Sequence, residues 1–394
     1  MDKIRIYPSD WTPKALGEVC DISIGGTPSR DQDRFWAQGE DGYPWVAISD
    51  MGPKLITKTN ERITEGGVVN SNAKSVRIGT ILMSFKLTLG RMGIAGIGLY
   101  TNEAIAAFVP KSKDVNSKWL YHFLPRLALS ATAEQAIKGQ TLNKKKLNRL
   151  KAYLPSPPEQ RRIAKILDTI DEAIQKTEAL ISKLKAMKQG LLHDLLTRGL
   201  DKNGKLRDPK AHPEQFKDSP LGRIPKEWEV HEIGNCGNII TGTTPNTSRS
   251  TYYGGDIPFI SPADLNNSRY VRSASGYLTD SGAAYARMLP EGTVLVSCIG
   301  ILGKIGQLQH KATTNQQINA IIPNSMLEHS FTFWVAHLLK RQLDIVAGLQ
   351  VVPIVNKTTF IRLLVPVPHV SEQIKGSSML DAHDARIRAE EQYR

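Results

Sequence analysis

The chain has 394 residues, more than one typical hydrophobic core accommodates, so two or three domains are expected. Hydrophobic residues make up 40% and charged residues 23%, an ordinary globular balance that excludes wholesale disorder. Lys and Arg number 51 against 38 Asp and Glu, a net charge of +13 that points to a polyanionic partner, nucleic acid being the usual one.

The chain opens on "MDKIRIYPSDW", a mixed stretch containing Pro8 rather than the basic-then-apolar start of a signal peptide. No apolar run reaches the ~20 residues a membrane helix needs, so a cytoplasmic protein is expected. Cys20, Cys236 and Cys298 lie far apart without a CxxC pair, which argues for buried or idle thiols and against a disulfide framework or zinc site. "GTILMSF" (79–85) and "AIAAFVP" (104–110) are short apolar runs bounded by Gly and Pro, hence strands. Residues 116–137 carry apolar side chains at helical spacing.

Ser156-Pro157-Pro158-Glu159 is a capping box with proline at the first helical position. From there Ile163, Leu167, Ile170, Ile174, Thr177, Ile181, Leu184, Lys188, Leu191 and Leu195 step alternately by four and three, a heptad seam broken only by Thr177 and Lys188. The spacing predicts a helix ending at Gly199, a rod of roughly 60 Å that must bury its stripe against another helix. Segment 199–222 is polar and rich in Gly, Pro and Lys, and reads as a surface linker. Beyond it "GTVLVSCI" (292–299) predicts a strand and residues 329–346 a helix.

The second half repeats the first. Pro8 and Trp11 match Pro225 and Trp228, and "GGTPS" (25–29) matches "GTTPN" (242–246), both 217 residues on. Thereafter the offset is 213: "LGRMG" (89–93) matches "LGKIG" (302–306), and "TNEAIAAFVP" (101–110) matches "TNQQINAIIP" (314–323). "LPSPPEQRRIAKILDTIDEAI" (154–174) returns as "VPVPHVSEQIKGSSMLDAHDARI" (365–387), with Glu159-Gln160, Asp168, Asp171 and Ile174 matching Glu372-Gln373, Asp381, Asp384 and Ile387. The period is far longer than a solenoid repeat, so a whole domain and the helix after it are duplicated. The expected architecture is α+β: two pseudo-repeated globular domains separated by long helices that form an antiparallel coiled coil. The expected boundaries are 1–155, helix 156–198, linker 199–222, 223–369, and a shortened helix 370–394.

Catalytic signatures are weak. "SPPE" (156–159) has three residues of an amino-methyltransferase motif but puts Glu159 where the base-stacking ring belongs, and the capping box explains it better. "GIAGIG" (93–98) lacks the following helix and ribose carboxylate of a dinucleotide site. In "GILGKIG" (300–306) Lys304 precedes Ile305 rather than Ser or Thr, against a phosphate loop. The nine histidines form no HExxH, and no metal site is expected.

The repeat, the "LPSPPEQRRIAKILDTID" phrase, the heptad rod and "KLKAMKQGLLHDLLTRG" (183–199) together resemble the specificity subunit of a type I restriction–modification system. The resemblance covers essentially the whole chain. It implies two target recognition domains, each reading one half of a split, asymmetric DNA sequence, and helices that dock two modification subunits. It also implies restriction subunits joining the assembly, S-adenosylmethionine and ATP with Mg bound by those partners rather than by this chain, and no catalysis here. The alternatives are a methyltransferase or nuclease with embedded recognition domains, which would bind S-adenosylmethionine, and a coiled-coil scaffold whose basic charge is incidental, which would show no sequence preference.

Base reading uses polar side chains on loops, and phosphate contact uses Lys, Arg and backbone N–H. The candidate DNA contacts in the first half are Thr27, Ser29, Arg30, Ser49, Asp50, Lys86, Arg91, Gln140, Asn143, Lys144 and Lys145. In the second they are Thr244, Asn246, Ser261, Asp264, Lys304, Gln350, Asn356 and Lys357. The second copy of the helix departs from the pattern: Gly376, Ser377 and Ser378 weaken it, the capping box is gone, and less sequence follows Asp384 than follows Asp171. A shorter partner helix is expected to leave Leu184, Leu191 and Leu195 exposed, and these with Met187 are the candidate partner-docking residues.

Overall fold

A computed structural model describes residues 7–86, 88–136, 142–265, 269–271, 273–348 and 351–392, with the side chains of residues 130–136 outside the description. The chain divides into two compact units, Met1–Gln175 and Lys176–Arg394, and the helix Pro157–Thr197 runs through the division.

The first unit is built on a five-stranded sheet in the order Cys20–Ile24, Ile105–Pro110, Ile81–Ser84, Met92–Ala95, Leu55–Ile56. All neighbours are antiparallel except the last pair, Leu55–Ile56 against Met92–Ala95, which is parallel. Both faces are covered, and the period-two alternation sorts side chains between them. Ile81, Met83, Ala106 and Phe108 face the core formed with Trp119, Leu120 and Leu124 of the helix Ser117–Ala136. Leu82, Ile105 and Ala107 face a second core with Val46, Ile56 and Leu99. That second core lies under a four-stranded sheet in the order Glu61–Ile63, Tyr43–Val46, Leu99–Thr101, Ser75–Val76.

The second unit repeats the plan. Its five-stranded sheet runs Gly237–Thr241, Ile318–Pro323, Val294–Ser297, Ile305–Leu308, Tyr270–Val271, again with only the last pair parallel. The predicted helix over 329–346 is two helices, His329–Val335 and Leu339–Ala347, joined by a 3-10 turn at Ala336–Leu338.

The Pro157–Thr197 helix ends at Gly199, whose φ of 60° is the left-handed cap that glycine adopts freely. A Cβ there would lie 2.1 Å from Glu372 Oε1, so the position is closed to other residues on two counts. The following segment is more than a surface linker. Leu200 and Arg207 are buried, and Arg207 holds Glu372 at 2.7 Å. Strands Phe216–Ser219 and Gly222–Pro225 form a hairpin.

Val370–Gln392 is one helix despite its glycine and serines. It pairs antiparallel with the later part of the long helix: Gly376 faces Leu195, Lys188 Nζ lies 2.8 Å from Asp384, and Lys185 Nζ lies 2.7 Å from Glu391. Gly376 is buried in this contact, where a small residue lets the helices approach, and the buried Ser377 hydroxyl donates to Glu328 at 3.4 Å. Lys188, which breaks the heptad, is the ion-pair partner of Asp384. The expectation that Leu184, Leu191 and Leu195 are exposed is overturned. Leu184 and Leu195 are buried and Leu191 is half-buried; Met187 alone of the four docking candidates is exposed. The physical reason is direction. Antiparallel pairing sets the start of the second helix against the end of the first. The apolar seam residues left in solvent are Ile170 and Ile174, in the half of the seam away from this contact.

Candidate nucleic-acid interface

The two Gly-Thr-Pro turns sit on matching loops. In the first unit Gly26 N–H donates to Thr101 O at 2.9 Å, and Asn102 N–H to Val46 O at 3.1 Å. The Asn102 side chain accepts from Ala104 N–H at 3.0 Å, a local turn that Asn favours. In the second unit Thr243 N–H donates to Thr314 O at 2.9 Å, Asn315 N–H to Ile260 O at 3.0 Å, and the Asn315 side chain accepts from Gln317 N–H at 3.0 Å. The close approach requires glycine: a Cβ at Gly25 would lie 2.0 Å from Thr101 O, and one at Gly242 would lie 2.1 Å from Asn315 O. On this frame the Thr27 hydroxyl donates to Glu103, and the Thr244 hydroxyl to Gln316. Both acceptors are exposed.

Arg30 pairs with Glu61 and lies over the Trp36 ring, 3.8 Å from its centroid. Ser29 contributes its carbonyl to Trp36 Nε1 at 3.1 Å. Asp50 and Asp264 brace equivalent loops: Asp50 accepts from the Ala47 and Asn60 N–H groups, Asp264 from Ser261 and Ser275. Arg91 and Lys304 are also equivalent, each donating to a loop carbonyl, Ile48 O at 3.2 Å and Pro262 O at 3.0 Å. Ser49 and Lys86 are exposed, and Asn246 accepts from Ser248 N–H at 3.0 Å. Asn143 caps the short helix Lys144–Arg149 and Asn356 caps Lys357–Phe360. Lys144, Lys145 and Lys357 are exposed in those first turns. Gln140 and Gln350 lie outside the described residues.

Each unit also carries a carboxylate socket on its helix. In the first, Asp168 takes Lys54 at 2.8 Å, Lys118 at 2.9 Å and His122 at 3.0 Å. Burial raises this carboxyl, and the Lys54, His122 and Lys118 bonds more than reverse that, holding it well below the usual carboxylate range. His122, Asp168 and Asp171 converge as metal ligands would. The Lys54 ammonium, 3.1 Å from Asp171 as well, already occupies the cation position. In the second unit the equivalent Asp381 receives Trp334 Nε1 at 2.9 Å and Ser330 Oγ at 2.8 Å, and pairs with Arg269.

Residues 8–186 and 225–394 match the family described as the type I restriction modification DNA specificity domain. The chain belongs to this family. The chain is 24% identical over 404 residues to the putative type I restriction enzyme MjaX specificity subunit of Methanocaldococcus jannaschii, covering 98% of this chain and 89% of that protein. It is 30% identical over 179 residues to the MjaIX specificity subunit of the same organism, a match spanning 41% of that protein. Among solved structures, the type I restriction–modification S subunit from M. genitalium has a TM-score of 0.58 at 14% identity, covering 99% of this chain and 94% of that one. A chain from a structure of type I restriction–modification complex assembly and conformational transition has a TM-score of 0.59 at 19% identity, covering 98% and 94%. These two likenesses show the fold. As a family member, this specificity protein carries two recognition domains, and the family matches the chain twice, at residues 8–186 and 225–394.

Glu103 and Gln316, the exposed acceptors of the two threonines, are not among the sequence-predicted candidates of this specificity chain. The signal was present: "TNEAI" and "TNQQI" align and differ there. The Asp168 and Asp381 sockets were visible only as matched positions, since Lys54 lies 114 residues from Asp168.

Proposed function

We infer that this chain gives a type I restriction–modification assembly its DNA sequence specificity. Each recognition domain binds one half of a split, asymmetric target, and the helices dock two modification subunits, to which restriction subunits add. What supports this is one scaffold built twice and joined to heptad helices, with a family match to each copy. Two unlike reading heads on related scaffolds suit a bipartite target, and related helices suit two copies of one partner. Of the docking candidates, Met187 presents its side chain to solvent. S-adenosylmethionine and ATP with Mg belong to the partner subunits, this chain performs no catalysis, and it works in the cytoplasm, where its DNA is.

Adenine methylation mapped across the genome, with and without this gene, tests the reading. Loss of one split motif, methylated once on each strand, is expected. An unchanged methylation map with all partner subunits expressed would sink it. Binding of S-adenosylmethionine by the isolated chain would favour an embedded methyltransferase instead.

A further inference from the structure

The two Gly-Thr-Pro turns and their Thr-Asn loops repeat the backbone bonds given above, and at the exposed tip they differ in one chemical respect. Thr27 holds a carboxylate, and Thr244 holds an amide by its oxygen. A carboxylate is acceptor-only when ionised, with about four lone-pair sites. Burial raises the Glu103 carboxyl, while the Thr27 hydroxyl, its own backbone N–H, Lys86 and Arg30 together carry it below the ordinary value. It is therefore ionised at neutral pH, and the Thr27 bond leaves acceptor sites facing out. In Gln316 the oxygen is engaged by Thr244, so the side chain turns its NH2 group, two donors, outward. The same position thus presents an acceptor in one unit and a donor in the other.

This placement suits reading and does not suit phosphate contact. An exposed carboxylate on a chain of charge +13 repels a phosphate, whereas carboxylates accept from amino groups on base edges and amides donate to base acceptors. The threonine restrains each side chain before any ligand arrives, so less conformational freedom is lost on binding.

We propose that Glu103 and Gln316 are specificity-determining residues of the two recognition domains. Glu103 accepts a hydrogen bond from an exocyclic amino group in the major groove, cytosine N4 or adenine N6. Gln316 donates to a base-edge acceptor such as guanine O6 or N7, thymine O4 or adenine N7. This inference rests on the function assigned above.

The test is selection from a randomised duplex DNA library by the full chain with its modification subunits, comparing wild type, Glu103→Gln and Gln316→Glu. Both substitutions keep the side-chain shape and the threonine partner. Glu103→Gln is expected to change the preferred base pair at one position of one half-site, shifting the preference about tenfold or more, and to leave the other half-site as in wild type. Gln316→Glu is expected to do the reverse. Thr27→Val, which frees Glu103, should relax the preference at the position that Glu103→Gln changes. A wild-type motif that both variants reproduce unaltered overturns the proposal and leaves the assigned function standing. Equal loss of affinity for all sequences also overturns it. Failure of the wild-type assembly to select any motif would remove both.

Discussion

The helix sockets of the two units share a neutral part and differ in their charged part. In the first unit the buried Gln160 side chain accepts from Asn116 N–H at 2.8 Å and donates to Asp114 O at 3.0 Å and Pro155 O at 2.9 Å. In the second, Gln373 accepts from Glu328 N–H at 2.8 Å and donates to Met326 O at 2.9 Å and Pro368 O at 2.8 Å. The geometry is the same because its partners are backbone groups, which substitution cannot remove. At the neighbouring glutamate and two turns on the likeness fades. Among the described residues the Glu159 side chain accepts from Trp11 Nε1 alone, at 3.3 Å, while Glu372 gathers Trp228 Nε1, Leu200 N–H and the buried Arg207. Asp168 is held by Lys54, Lys118 and His122, whereas Asp381 is held by Trp334, Ser330 and Arg269. A duplicated domain keeps its backbone clamps and exchanges its ion-pair partners.

That contrast can be broken most sharply at Glu372. Glu372→Gln leaves the Arg207 guanidinium buried without its main counter-charge and is expected to destabilise the second unit by about 3–5 kcal/mol. Glu159→Gln should cost the first unit less than about 1 kcal/mol. Thiol labelling during urea unfolding reads the two units apart. Cys20 lies in the first core, and Cys236 and Cys298 in the second. Burial holds these thiols at about 12, 11 and 12, so they react only when their unit opens. Equal effects of the two substitutions would contradict the asymmetry.

The shared clamp gives the next effect. Gln160→Leu and Gln373→Leu each strand one N–H and two carbonyls and should cost about 2–4 kcal/mol, each in its own unit. A large difference between them, by the same labelling, would show that the clamps are not equivalent.

A smaller effect separates the sockets by pH. Asp168 titrates below its ordinary value of 3.8, so its contribution is complete above that value and is lost as pH falls further. Asp168→Asn should lower the melting temperature of the first unit at pH 7, by about 1–2 kcal/mol in stability, and much less near pH 2. A deficit that stays constant over this range would remove the ion pairs as its cause.

The smallest effect concerns the capped helices. Lys144 and Lys145 follow Asn143, whereas Lys357 alone follows Asn356. Lys144→Ala with Lys145→Ala should weaken binding to all duplexes and reduce the salt slope by about 2, against about 1 for Lys357→Ala. Unchanged slopes would exclude phosphate contact there.

The sequence showed the duplication, the long heptad helix, its stop at Gly199 and three of the strands, Ile81–Ser84, Ile105–Pro110 and Val294–Ser297, because periodicity and turn chemistry act over a few residues. It did not show that Lys54 reaches Asp168, or that Arg207 turns a polar, Gly/Pro-rich stretch into part of the second unit, because those contacts join distant parts of the chain. The exposed end of the heptad seam was misassigned although an antiparallel partner was expected, because antiparallel pairing sets the start of a short second helix against the end of the first and covers Leu184 and Leu195. Glu103 and Gln316 were hidden in a pair of matched motifs, where likeness drew attention away from the one exposed difference.

One further consequence comes from strand pairing. Thr12 lies opposite Leu154, and Glu229 opposite Val367. Adjacent strands are about 4.8 Å apart, so each globular domain leaves the chain where it began. Everything between those two strands is a closed excursion. Recombination could replace either excursion whole, installing a new reading head without moving the helix that follows. The fold makes the domain a cassette.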